Sequence, residues 1–177
     1  VVLTGNLQTL QKIKLRFESS ESGVFSLKNY QCLLVSDVSD MDEEDFGSRR
    51  FSPQVELVDG KLLISGDSDR SPMIGLFETI CADWGVEGQL EFEETAEDFA
   101  GIIGWNSKGV EIQNQQWTYL ERTYMKDPQM FWEEMSYRYQ LYDTFEELVE
   151  GLQLHKWDTQ NVLDLDELNK NMMSRKL

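Results

Sequence analysis

Positive charge is scarce in this 177-residue chain: 16 Lys+Arg stand against 33 Asp+Glu, a formal net charge of −17. Phosphate neutralisation needs clustered Lys and Arg, so the deficit excludes a conventional nucleic-acid binder and sets the chain against anionic lipid surfaces. Proline is rare, at three residues, while hydrophobic residues make up 40%. A disordered acidic chain is less apolar and less regularly patterned, so this chain folds. No apolar run approaches the ~18–20 residues needed to span a bilayer. Val1-Val2-Leu3-Thr4 is too short for the apolar region of a signal peptide.

Histidine occurs once, at His155, and cysteine twice, at Cys32 and Cys81. They are too few and too far apart for a zinc site. Each Cys sits among apolar neighbours without CxxC spacing, which reads as two buried free thiols in a reducing, cytoplasmic compartment. His155 falls at the end of a capped helix beside Lys156 and Trp157, where a surface role suits it better than catalysis. No Walker loop, GxGxxG or GxSxG occurs, so nucleotide hydrolysis and acyl transfer lack visible apparatus. No cofactor and no catalytic residue are expected.

What is present is a succession of short apolar segments and turn signals. Val1–Thr4 reads as a strand, Gly5-Asn6 as a turn and N-cap, and Leu7, Leu10, Ile13 and Phe17 as a helical stripe. Residues 23–35 alternate weakly and predict at most a short strand and a loop. From Asp37 to Gly47 six acids stand without a base, which predicts a solvated loop. That run lacks the Gly at the sixth and the Glu at the twelfth position of an EF-hand, so no dedicated metal site is expected. Val55–Val58 and Lys61–Ser65 flank Asp59-Gly60, the hairpin signal of a type I′ turn. Ser71-Pro72 predicts a helix start, Met73, Phe77, Ile80, Cys81 and Trp84 its apolar face, and Gly85 its end. Leu90 and Phe92 alternate with Glu91 and Glu93, Phe99–Trp105 is a further strand, and Ser107-Lys108-Gly109 turns into Val110–Ile112.

After that the pattern becomes helical. Asp127-Pro128 caps a stripe of Phe131, Met135, Tyr139 and Tyr142; Thr144-Phe145-Glu146-Glu147 is a capping box; Leu165, Leu168 and Met172 predict a last short helix. The dense aromatic set from Trp117 to Tyr142 is mostly core by this reading. The expected fold is therefore α+β: a ferredoxin-like antiparallel sheet with helices on one face over residues 1–116, and a helical C-terminal extension over 117–177 packed on it.

The stretch Ser68-Asp69-Arg70-Ser71-Pro72 with its amphipathic helix, then Phe92-Glu93-Glu94 and Glu97-Asp98-Phe99-Ala100-Gly101, resembles the YubB-type ferredoxin-like domain family of bacterial plasmids and other mobile elements. Gly5-Asn6 and the helix after it fit as well. The resemblance covers residues 1–112, thinly over 24–53. It departs at Arg70 and Met73, where that family usually places Trp and Pro. It implies a fold and a mobile-element setting; it brings no established activity to any residue.

The acidity is localised: residues 73–100 hold eight acids and no base. Glu91, Glu93, Glu94, Glu97 and Asp98 are the expected interaction surface, for a basic protein partner or in imitation of nucleic-acid charge. Ordinary solubilisation is the competing explanation, although −17 exceeds the usual magnitude of ~2–8 for a small domain. A third reading is a small enzyme using Glu93, Glu94 and Asp98, with or without a divalent cation; it requires one carboxyl to be desolvated against Phe92 or Phe99.

Overall fold

The computed structural model describes residues 1–19, 23–26, 29–69, 71–95, 98–154 and 164–175. Arg70, Glu97 and His155 lie outside the described residues. The chain divides into two compact units, Val1–Trp117 and Thr118–Leu177.

The first unit is α+β. In chain order it contains β1 (Val2–Thr4), α1 (Leu7–Glu18), β2 (Phe25–Ser26), a 3-10 turn (Tyr30–Leu33), α2 (Glu43–Phe46), β3 (Arg50–Val58), β4 (Lys61–Ser68), α3 (Ile74–Trp84), β5 (Glu87–Glu94), β6 (Phe99–Trp105) and β7 (Glu111–Trp117). The strands form one sheet in the order β2-β3-β4-β1-β5-β6-β7, with every neighbouring pair antiparallel. Seven strands make a wider sheet than the ferredoxin-like layout expected from the sequence. Short β2 is added beyond β3, and β6–β7 continue the meander beyond β5.

Local chemistry explains most of these boundaries. The Asn6 side chain accepts from the Gln8 N–H at 2.9 Å and starts α1. Asp59 and Gly60 take φ of 49° and 75°, the left-handed pair that a two-residue hairpin turn demands. At the β6–β7 turn the Asn106 side chain accepts from the N–H groups of Lys108 and Val110, and Gly109 takes φ of 72°. Gly85, at φ 64°, closes α3 in the left-handed cap position.

The start of α3 departs from the sequence reading. Ser71 does not cap it; the helix begins at Ile74, with Met73 at the cap and no side-chain bond there. The Ser71 hydroxyl donates instead to the Gly47 carbonyl, and Ser68 Oγ donates to the Ser71 carbonyl at 2.7 Å. Ser71 therefore ties two loops together.

One face of the sheet is buried. Leu3, Leu62, Ile64, Leu90, Ile103 and Trp105 from the strands join Leu10, Ile13 and Phe17 of α1 and Leu76, Phe77, Ile80 and Cys81 of α3 in a single core. Leu7 falls outside that stripe and is half exposed. The segment expected to be a solvated acidic loop is pinned to this core. Val38 and Phe46 are buried, Met41 packs beside them, and the Phe46 ring meets Tyr30 edge-on at 5.1 Å. Asp83 Oδ2 accepts from Val35 N–H, Ser36 N–H and Ser36 Oγ at 2.8–2.9 Å, which fastens the preceding turn to the end of α3. Three apolar side chains among the acids are enough to seat the segment while Asp37, Asp40, Asp42 and Asp45 stay exposed.

Both cysteines are free, yet only Cys81 is buried; Cys32 is exposed, contrary to the sequence reading. Burial pushes the Cys81 thiol up to about 12, with Glu78 and Glu87 adding to the rise. Partial desolvation also raises the Cys32 thiol, against opposing pulls from Arg16 and a backbone hydrogen bond. A disulfide-exchange reagent at pH 8 is expected to titrate one thiol, Cys32, in the native protein and two after denaturation. Because the folded Cys81 stays protonated where an unfolded thiol ionises, its contribution to stability is intact below its ordinary value of 9.0 and declines above it. A denaturation series from pH 8 to 11 reads that decline; two thiols reacting at equal rates in the native state would contradict the burial.

The second unit is helical: α4 (Tyr119–Lys126), α5 (Pro128–Tyr139), α6 (Phe145–Gly151) and α7 (Leu165–Arg175). Thr118 and Glu121 form a reciprocal capping box before α4, which the sequence reading passed over although Thr-x-x-Glu spells it. Asp127 caps α5 by accepting from Gln129 and Met130, with Pro128 at the first position. Leu120, Phe131, Met135, Tyr139, Leu148, Leu154, Leu168 and Met172 make this unit's own core. Tyr137, from the aromatic set, is exposed at 61%. No helix among the described residues is long and apolar enough to cross a membrane.

Candidate functional site

The unburied face of the sheet is where charge collects. Along β5 the exposed residues are Glu87, Gln89, Glu91 and Glu93, alternating with buried Gly88 and Leu90 and half-buried Phe92 and Glu94. Period-two alternation thus puts three carboxylates in one file, with about 7 Å between Glu91 and Glu93 and about 14 Å from Glu87 to Glu91. Register extends this surface sideways. Glu91 lies opposite Ile102 and then Gln115, Glu93 opposite Ala100 and then Trp117, and Gln89 opposite Gly104 and then Gln113.

Gly104 has a specific use here. Without a side chain between them, the amides of Gln89 and Gln113 meet across β6, Nε2 donating to Oε1 at 3.0 Å. Gln113 Nε2 in turn donates to Gln115 Oε1 at 3.3 Å. The result is a carboxylate file on β5 bordered by a bonded row of amides. On the opposite face Phe92 leans over Gly101, where an added Cβ would strike its ring, and packs near Phe99 at 6.0 Å between centroids.

The five acids singled out from the sequence do not form one cluster. Glu91 and Glu93 share the open face. Glu94, one residue on, belongs to the opposite face and is half-buried. Asp98 is half-buried in the β5–β6 turn, at a left-handed φ of 52°. Glu97 lies outside the described residues. Glu87 belongs to the file and was missed; extending the Leu90/Phe92 alternation back to Gly88 would have found it.

This arrangement constrains the chemistry. Glu93 and Glu94 project from opposite faces of one strand, so they cannot flank a single reacting atom as acid and base. Glu91 and Glu93 share the exposed face, two residues apart on one strand. Among the described residues, no three His, Cys, Asp or Glu side chains come together as a metal-ligand set. What an exposed file of carboxylates does well is attract and register cationic groups.

Fold and site together define an α+β protein with an antiparallel sheet, buried on one face, whose other face carries a file of exposed carboxylates. Comparison with protein-family models, with curated proteins and with solved structures finds no match for the chain.

Proposed function

We propose that the protein is a non-enzymatic interaction protein that engages a basic protein partner through the open face of β5, with Glu87, Glu91 and Glu93 as the charged contacts. The observation that carries the reading is the placement of those three exposed carboxylates in one file, within a stretch, residues 73–100, that itself holds no Lys or Arg. An extended segment with Lys or Arg at every second position repeats at the same interval of about 7 Å. The setting in a mobile element rests on the YubB-type resemblance alone. As to fold, the inner strands β3-β4-β1-β5, with α1 after β1 and α3 after β4, support a ferredoxin-like unit enlarged by β2, β6 and β7.

A 12-residue peptide alternating Lys and Thr is the test. Calorimetric or anisotropy titration is expected to give binding that weakens steeply with salt. The triple variant Glu87→Gln/Glu91→Gln/Glu93→Gln is expected to lose roughly tenfold in affinity, from three exposed ion pairs. A control removing the same charge from α6, Glu146→Gln/Glu147→Gln/Glu150→Gln, should lose far less. Equal losses in the two triples would reduce the effect to net charge and defeat the assignment.

A further inference from the structure

The two edges of the sheet are unlike. On the β3 side the edge is interrupted by Pro53, carries Arg50 and Glu56, and is partly covered where β2 pairs at Phe25–Phe51 and Ser26–Arg50. These are the usual devices that stop a sheet from growing. On the other side β7 is a seven-residue strand that pairs with β6 alone among the described strands. It has no Pro and no Lys. Its one charge, Glu111, stands at the start, where the ladder shifts register between Gly104 and Trp105. From Gln113 to Trp117 the pairing with β6 is regular. Ile112, at the strand's start, is 67% exposed.

The composition of this edge is out of keeping with the rest of the chain. Ile112 to Leu120 is nine residues without a charge in a protein that is 28% charged. Four consecutive amides, Gln113-Asn114-Gln115-Gln116, occupy the centre of the strand. Each amide both donates and accepts, so such a strand complements itself. Two bodies of formal charge −17 repel one another, and they can meet only where the local charge is near zero. A basic partner would have no need of a neutral edge.

We propose that β7 is a self-association edge, and that a second copy of this chain pairs with it antiparallel about a two-fold axis to make a continuous sheet of two seven-stranded halves. Pairing the regular stretch with itself sets Gln115 opposite Gln115 of the second copy, with Asn114 opposite Gln116 and Gln113 opposite Trp117. No like charges face each other in that register. The interface is isologous and closes at two copies, because each chain spends its β7 edge in it. The pairing is independent of the basic-partner reading and has the opposite salt response: salt screens the repulsion between two −17 bodies and strengthens the dimer, whereas it weakens binding to a cationic peptide.

Sedimentation velocity on the full chain, from low salt to about 1 M NaCl where the screening length is ~3 Å, is the test. The wild type is expected to dimerise, with a dimer fraction that rises with salt. Gln115→Glu and Gln115→Lys each place like charges face to face and are expected to weaken dimerisation by about tenfold or more, with the thermal midpoint of the monomer unchanged. Mixing the two variants should restore a one-to-one dimer, which a folding defect in either could not do. Hydrogen exchange should show the outward amides among residues 113–116 becoming protected in the dimer. A wild type that stays monomeric up to about 1 mM in high salt would overturn the proposal, whatever extended peptide the edge then accepts; so would a Gln115→Glu variant that dimerises as the wild type does.

Discussion

Replacing Trp105 by Ala is expected to cost the first unit roughly 3–5 kcal/mol of unfolding free energy. Trp105 ends β6 on the buried face, is 1% exposed, and is among the largest fully buried side chains in the chain. Its surroundings cannot close over the gap. Across the ladder stands Gly88, whose backbone is already approached so closely that a Cβ there would lie 2.6 Å from Cys81 Sγ, 3.0 Å from Leu3 Cδ2 and 3.7 Å from the Trp105 ring. The indole is thus part of a tight three-way packing of β1, α3 and β6 over a glycine. Denaturant unfolding, followed by hydrogen exchange of the β5 and β6 amides so that only this unit is read, measures the loss. A change below about 1 kcal/mol would mean that the indole is not the keystone the packing makes it.

Gly75→Ala should lift the acidic segment 37–47 off the core. Alanine is the better helix former, by at most about 1 kcal/mol over glycine, and Gly75 is the second residue of α3, so local propensity argues for a small gain. Packing argues the other way and is larger. An added Cβ at residue 75 would collide with the Asp45 carbonyl oxygen, at 2.8 Å from the Asp45 carbonyl carbon and 3.3 Å from the Phe46 Cα. These are backbone atoms, which cannot rotate aside as a side chain would. Either α3 or α2 must shift, and Phe46 and Val38 then leave their buried places. The net cost is expected at about 1–3 kcal/mol, concentrated in this segment. Limited proteolysis between Asp37 and Gly47 is the readout, with faster cleavage expected in the variant. Unchanged cleavage with a raised melting temperature would show that the close approach is relieved without consequence.

Much of the first unit was legible because it depends on short-range chemistry. Asp59-Gly60, Asn6 and Gly85 sit where the backbone needs positive φ or a side-chain acceptor, and those needs are written in two or three adjacent residues. Ser71-Pro72 shows where such reading fails. The dipeptide has the right chemistry for a helix start, but the Gly47 carbonyl, 24 residues away in the chain, competes for the serine hydroxyl and the helix begins later. The acidic run failed for a related reason. Six charges in 11 residues hide the fact that Val38, Met41 and Phe46 suffice to seat it, since burial depends on where a side chain lands and not on its neighbours' charge.

The amino-acid sequence alone determined the sign and concentration of charge, the hairpin at residue 59, the caps at Asn6, Gly85, Asp127 and Thr144 and the α+β class, because each follows from composition or from contacts within a few residues. Only the tertiary structure decided that the sheet runs to seven strands, that Glu91 and Glu93 share a face with Glu87 while Glu94 faces away, and that β3 is partly covered by β2 while β7 pairs with β6 alone among the described strands. Strand order and the buried side of a strand are set by pairing between segments far apart in the chain, whose free energy no local pattern contains.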